Sequence, residues 1–353
     1  MNANFRTSGR ATTVGRSAGA PDISVLIVSY NTRQMTLDCI ASVIDQTKAN
    51  SIEIIVVDNA SSDGSAAALA GLGDRIRLIA LEENIGFARG NNVAAAEAAG
   101  DFVLLLNPDT LVVDGGIDML VATARSTPGA GIWGGRTLLP DGRLDPRCAW
   151  AHMSMWSLLC RTAGLTELFP KSTFFNSEAY GGWARDSVRE VDVITGCFLL
   201  IRREMWSRLG GFDRQFFMYA EEADLCLRAQ KLGARPLFTP AAVIIHYGGA
   251  SEATWDGKVH KLLTAKVTFM KQHWSPAAAR LGAMLLALWP LSRWVAFSLA
   301  GWLLLRADLR QRGAQWQTAW SARHEWLRGY ESPAPAKAAA ALTGPAGLTA
   351  SSH

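Results

Sequence analysis

From Asp22 onward, short runs of β-branched and aliphatic residues alternate with segments of helical spacing, the pattern of a mostly parallel sheet covered by helices. Ile23 to Ser29 is almost continuously apolar, as expected of a strand buried on both faces. Leu37, Ile40, Ala41 and Ile44 then follow the i, i+3, i+4, i+7 spacing of one helix face. Ile54 to Val57 reads as a second strand and Arg75 to Ala80 as a third. Asn84 to Ala88 opens an Ala-rich helix that Gly100 closes as a left-handed stop. Phe102 to Leu106 is the fourth strand, Gly115 to Ala124 a helix, and Gly129 to Leu139 a strand with a turn. Pro146 to Asp186 is rich in aromatics and follows neither period. Val191 to Arg202 reads as one strong strand, Tyr219 to Leu232 as a helix ended by Gly233, and Ala242 to His246 as a short final strand.

Beyond this core lies a more apolar stretch. Leu281 to Leu305 is 25 residues with nine Leu, three Trp and a single charge, Arg293. That is long enough for a hydrocarbon core needing about 20 residues. A central Arg costs about 2.5–3.5 kcal/mol on insertion scales, so Arg293 and Pro290 favour two shorter helices lying at a membrane surface. Leu305, Leu309, Trp316, Trp320 and Leu327 then fall near one helix face, with Arg306, Arg310, Arg312, Arg323 and Arg328 available for anionic headgroups. A helical subdomain or a contact between two copies of the chain explains the same pattern.

Composition narrows the classes. With 353 residues, 49% hydrophobic and 19% charged, the chain builds a real core and is not disordered throughout. A mean hydropathy of +0.10 is too low for a polytopic membrane protein. A net charge of +4 argues against nucleic acid as the partner. Five widely spaced cysteines without a CxxC pair point to a reducing cytoplasm, not to a disulfide framework or a zinc site. Arg6, Arg10 and Arg16 precede no apolar segment, so residues 1–21 read as a basic arm and not a secretory signal. The division expected is 1–21 arm, 22–250 catalytic domain, 251–330 helical membrane-interfacial region and 331–353 flexible tail.

In open α/β sheets, ligands bind beyond the carboxyl ends of the strands, so polar residues directly after apolar runs carry the information. Three such places occur: Ser29-Tyr30-Asn31, the stretch from Asp58 to Ser65, and Asn107-Pro108-Asp109-Thr110. Each alone is explained as a turn. Together they line one sheet edge with carboxylates and no GxGxxG fingerprint, which disfavours a dinucleotide fold. Asp58 can accept hydrogen bonds from a nucleobase or ribose, and Asp109 can ligate a hard divalent cation that also holds a diphosphate. Helix-start amides near Gly86, with Arg89 one turn in, add positive potential for phosphates. Further on, Glu221, Glu222 and Asp224 crowd a helix start, which raises the proton affinity of at least one of them. Gly196 and the strand-end His246 lie in the same half.

These residues resemble the family-two glycosyltransferases of GT-A fold, in their rhamnosyltransferase-like branch of bacterial cell-envelope polysaccharide synthesis. The resemblance rests on Val25 to Asn31, Val56 to Gly64, Asn84 to Asn92, Leu105 to Asp109, Gly211-Phe212-Asp213 and Glu221 to Arg228, in that order, over about residues 22 to 250. It implies an α/β fold, a nucleotide-diphosphate sugar donor (dTDP-rhamnose by the branch), a Mg2+ or Mn2+ ion and inversion at the anomeric carbon. Ser29, Tyr30, Asn31, Asp58, Asn84, Arg89 and Asn107 would bind the donor. Asp109 and His246 would hold the metal, and Glu222 would be the catalytic base. Gly196, Glu221 and Asp224 would face the acceptor or support the site. The chain departs from the family in Asn107, where the metal motif usually has its first Asp, and in Glu222, where an Asp is usual. The apolar, basic carboxy-terminal region points to a lipid-linked saccharide as acceptor and to an enzyme peripheral on the cytoplasmic face of the inner membrane, and its alternative reading as a contact between copies makes a homo-oligomer a further partner. A nucleotide-sugar-binding scaffold without activity is the alternative. A sugar-1-phosphate nucleotidyltransferase would need a Gly-rich basic loop after the first strand, which Ser29 to Arg33 is not.

Overall fold

The computed structural model describes residues 19–249 and 254–331. The basic arm and the terminal tail therefore lie, but for a few residues, outside the described part. Two compact units are present. Among the described residues, one comprises 19–212 and 222–249, the other 213–221 and 254–331.

The first unit opens with β1 (Ile23–Ser29), α1 (Arg33–Gln46), β2 (Ile52–Asp58), α2 (Ser65–Ala70), β3 (Arg77–Ala80), α3 (Phe87–Ala96) and β4 (Phe102–Leu106). All seven residues of β1 are buried, as its apolar run requires. β5 (Thr110–Val113), α4 (Gly116–Ser126), β6 (Ile132–Leu138) and β7 (Ala149–Trp150) follow. Then come α5 (Met155–Thr162), α6 (Leu165–Leu168), β8 (Arg189–Glu190), β9 (Val193–Ile194), β10 (Phe198–Arg202), α7 (Arg203–Leu209), α8 (Glu221–Lys231) and β11 (Leu237–His246).

The main sheet has the order β3-β2-β1-β4-β10-β6-β11-β5, with β8 on β11. It is parallel from β3 through β4 and mixed beyond, because β10 enters antiparallel between β4 and β6, and β5 pairs antiparallel with β11. The polar ends of β1, β2 and β4 therefore share one edge, and the register places Ser29 beside Asp58. α1 and α4 cover one face, burying Cys39, Ile40, Val43, Ile117, Leu120 and Val121 against the sheet.

Local differences from the sequence pattern have physical reasons. α1 buries Thr36, Cys39, Ile40 and Val43, whereas Ile44 is 40% exposed and Ala41 faces solvent. The helix is turned so that Thr32 and Thr36 share hydrogen bonds with the Ser29 hydroxyl, at 3.2 and 2.9 Å. Gly100 does not close α3, which ends at Ala96, nor is its φ positive. It is needed for close approach: a Cβ there would come within 2.6 Å of the Ser24 nitrogen. The expected strand Val191 to Arg202 is split, because Val193–Ile194 pairs with β7 while Phe198–Arg202 pairs with β4 and β6. Tyr219 and Ala220 have φ of 69° and 63°, so α8 begins only at Glu221.

The second unit contains α9 (Trp255–His273), α10 (Pro276–Leu303), α11 (Ala307–Ser321) and α12 (Arg323–Trp326). α10 is one continuous helix through Pro290, not the two shorter ones expected. The amphipathic stretch from Leu305 is broken into two helices, and Leu305 itself lies before them with φ 51°.

Gly100→Ala should destabilise the fold by about 1–3 kcal/mol through backbone displacement at β1, read as a lowered denaturation midpoint with unchanged slope.

Candidate functional site

The end of β4 runs through Asn107-Pro108-Asp109 into β5, and the β5/β11 register sets His246 opposite Thr110. The Tyr247 amide donates to the Asp109 carbonyl at 3.0 Å. Antiparallel pairing thus carries a histidine across 137 residues to the carboxylate: His246 Nε2 lies 3.2 Å from Asp109 Oδ1 and 3.4 Å from Asn107 Nδ2. Burial alone would depress the His246 pKa, but the Cys197 thiol and the Asp109 carboxylate against the ring reverse this and push it up to about 10. Asn107 Oδ1 is buried without a hydrogen-bond partner. So placed, the His246 ring holds its proton and pairs with Asp109; a divalent cation would have to displace that proton before one carboxylate, one imidazole and the amide oxygen of Asn107 could serve as part of its shell, with phosphate and water as the rest. Among the described residues no group of three or more His, Cys, Asp or Glu is placed to hold a metal ion by itself.

The split between β9 and β10 creates the second half of the site. Cys197 accepts the Asn107 amide on its carbonyl at 3.2 Å, one pair beyond Phe198 and Leu106 in the antiparallel β10/β4 register. A Cβ on the neighbouring Gly196 would lie 3.9 Å from Glu222 Cβ and 3.4 Å from the Phe87 ring. Asn107, Asp109, His246 and Glu222 are therefore gathered around one tripeptide, Thr195-Gly196-Cys197. Burial pushes the Glu222 carboxyl up to about 7, against the opposing pull of the Glu222 and Gly196 amides. Glu222 Oε2 has no hydrogen-bond partner. A carboxylate with one oxygen held by amides and the other unpartnered, titrating near neutrality, is equipped to take a proton from a ligand.

A third group of residues lines the ends of β1 and β2. Asp58, 2% exposed, caps its own loop by accepting the Ser61 amide on Oδ2 at 3.1 Å, while Oδ1 stays buried and unpartnered. The loops are laced together: the Asn31 amide donates to Ser61 Oγ at 2.9 Å, the Ser62 amide to Asn31 Oδ1 at 2.8 Å, and the Arg33 amide to Asp63 Oδ2 at 2.9 Å. Asn31 and Ala60 take left-handed φ of 53° and 62° to make these turns.

The remaining expected site residues divide by environment. Ser29 is fully buried and its hydroxyl is engaged by Thr32 and Thr36, so it shapes the strand end from within. Tyr30 and Arg89 are partly exposed beside the same edge. Asn84 Oδ1 accepts from Asn59 Nδ2 and the Gly86 amide, at 2.9 and 3.0 Å, and so holds the loop before α3. Glu221 is buried at the start of α8. Asp224, 1% exposed, is bound by Arg228 at 2.6 Å, and that guanidinium also reaches the Leu209 and Gly211 carbonyls. The motif Gly211-Phe212 is explained by the Asn92 amide, which donates to the Phe212 carbonyl at 2.8 Å and accepts its amide at 2.9 Å.

Sequence reasoning missed Asn59, whose side chain ties Asn84 to Ile85 and Gly86, and Cys197, which packs against His246. Asn59 follows a strand-end Asp and was visible as a pattern. Nothing in the chain around Cys197 signals its neighbour.

Residues 24–205 match the family model described as Glycosyl transferase family 2. The chain is 31% identical over 212 residues to the N-acetylglucosaminyl-diphospho-decaprenol L-rhamnosyltransferase of Mycobacterium tuberculosis, covering 56% of this chain and 66% of that one. It is 46% identical over 71 residues to the rhamnosyltransferase WbbL of Escherichia coli, covering 20% and 27%. The chain thus spans less than two thirds of the length of these curated relatives. Among solved structures, the mannosyltransferase PcManGT of Pyrobaculum calidifontis, in complex with GDP-mannose and Mn2+, aligns with a TM-score of 0.55 at 16% identity over 87% of this chain and 88% of that one. The fold is therefore GT-A, a curled mixed sheet flanked by helices.

Asp224→Ala should strand the Arg228 guanidinium and cost about 3 kcal/mol in unfolding free energy. Nucleotide binding to the folded fraction, measured calorimetrically, should stay within about twofold, as befits a supporting ion pair.

Proposed function

We propose a reaction that proceeds from one premise: the chain belongs to glycosyl transferase family 2. It moves a hexose, with L-rhamnose from dTDP-rhamnose as the donor, to a hydroxyl of a lipid-linked saccharide at the cytoplasmic face of the inner membrane, in cell-envelope glycan synthesis. The relatives named rhamnosyltransferases support the sugar, and the decaprenol-linked substrate in the name of the mycobacterial relative supports the acceptor.

The observation that carries the reading is Glu222. Its burial beside Gly196, its unpartnered Oε2 and its proton affinity near neutrality are what a base needs to accept the acceptor's hydroxyl proton as that oxygen attacks the anomeric carbon. The attack comes from the face opposite the diphosphate, so configuration inverts. The open oxygen of Asp58 accepts from the nucleobase or ribose, and the α3 start adds amide dipoles for the phosphates. Asp109 and His246, with Asn107 Oδ1, would hold a divalent cation, Mg2+ or Mn2+, which offsets the charge gathering on the departing nucleoside diphosphate.

Glu222→Gln should lower kcat at least about a thousandfold while dTDP affinity changes less than about threefold; full transfer by this variant would overturn the assignment. In the native chain, kcat/KM should rise with pH and level off above about 7 as Glu222 loses its proton. Stability follows the same group with the opposite sign. A carboxyl held above its unfolded pKa costs nothing below the ordinary carboxylate range. The cost grows as pH rises toward about 7 and is constant beyond. The Gln variant should therefore gain denaturation midpoint over the native chain at pH 8 and lose that gain by pH 4. Asp109→Asn and His246→Ala should each weaken dTDP binding in Mn2+ at least about tenfold and leave metal-free binding nearly unchanged, as measured by titration calorimetry.

A further inference from the structure

We infer that α10 lies in the plane of an anionic lipid surface, half-immersed along one face, and does not cross the bilayer. The inference deepens the membrane-surface reading above, but it stands on the helical unit alone.

α10 is long and apolar enough to span, with a mean hydropathy of 1.4 in its most apolar window and only 22% of that window buried. Its exposed positions decide otherwise. Leu281, Met284, Leu288, Val295, Leu299 and Trp302 are all exposed, at spacings of three, four or seven that keep them on one helix face. Every exposed residue from Leu281 to Leu305 is apolar. Ser292, on the same side, returns its hydroxyl to the Trp289 carbonyl at 2.9 Å and so presents no unmet polar group. The stripe runs about 30 Å, more than a scattering of surface apolar residues in a soluble chain.

The opposite side of α10 is packed. α11 runs back antiparallel along its carboxyl half, with Gly313 against Ser298 and Gly301 against Arg310, and Trp316 stacks on Trp289 at 5.2 Å between centroids. α11 exposes Asp308, Arg310, Gln311, Arg312 and Gln317 along this length. A spanning α10 would draw those cations, carboxylate and amides into hydrocarbon beside it. An in-plane α10 leaves them at headgroup level, where arginines meet phosphates.

Charge selects the occupant. Between Pro276 and Glu331 there are seven arginines against three carboxylates, a complement to anionic lipid. Two copies pairing stripe to stripe would bring the same cations together, Arg280 at one end and Arg306, Arg310 and Arg312 at the other.

The test uses the full chain with vesicles of phosphatidylcholine alone or with about 30% phosphatidylglycerol. The chain should co-sediment with the anionic vesicles and be released by salt. Leu288→Glu with Leu299→Glu, both at exposed positions, should cut partitioning at least about tenfold with the circular dichroism unchanged. In separate chains, a cysteine at Leu299 should become protected from a membrane-impermeant maleimide when vesicles are added, while one at Gln311 stays reactive. Undiminished binding by the double variant, protection of Gln311, or loss of a dimer without loss of vesicle binding would each overturn the inference. None of these readouts depends on transfer, so this reading and the assignment of Glu222 can fail separately.

Discussion

The site depends on an interrupted strand. Between Ile194 and Phe198 the chain leaves one partner, β7, and joins another, β4: the Thr195 amide still donates to the Cys148 carbonyl and the Cys197 carbonyl accepts the Asn107 amide, each one step beyond its ladder, so the change is made at Gly196. Backbone groups at a strand end must still be satisfied, and here the Cys197 carbonyl and the Asn107 amide extend the antiparallel pairing past the last residue of β4. That bond fixes the end of β4 against the start of β10. Because β10 runs antiparallel to β4, the beginning of one strand is necessarily beside the end of the other, and the residues following β4 are held where α8 can present Glu222.

Three buried polar atoms go unmet at the ends of β2 and β4 and the start of α8. Asp58 Oδ1, Asn107 Oδ1 and Glu222 Oε2 are all shielded and without partners. Leaving such groups unsatisfied costs of order 1–3 kcal/mol each, which a ligand bonded to them would offset. Around them the loops are over-determined: Asn31, Asn59, Asp63 and Asn84 each make two or more hydrogen bonds to neighbouring turns. The contrast between fully engaged supporting residues and unengaged central ones separates scaffold from reactive groups. By it Ser29 and Asn84 belong with the scaffold, although the motifs alone place them with the ligand, and Asp224 takes the supporting alternative.

Much of the first unit was legible from periodicity. β1, β2 and β4 are continuous apolar runs because both faces of a parallel sheet are covered, and that requirement is local in sequence. The strand-end Asp58 and Asp109 follow at once from those runs. What periodicity could not supply is orientation within a turn: the buried face of α1 is set by hydroxyls at Ser29, Thr32 and Thr36, not by the apolar spacing of Leu37 and Ile44. Nor could it show that Gly100 serves packing rather than termination, since close approach to Ser24 joins residues far apart in the chain.

The amino-acid sequence by itself therefore determined the alternation of elements, the polar edge beyond β1, β2 and β4, and the family, since each is written in runs of neighbouring residues. Only the tertiary structure decided that Glu222 stands beside Gly196 with one oxygen unpartnered, by what pairing His246 reaches Asp109, and which face of α10 is left bare. Those outcomes come from strand order, antiparallel register and helix packing, which join residues far apart in the chain or rotate one surface against another.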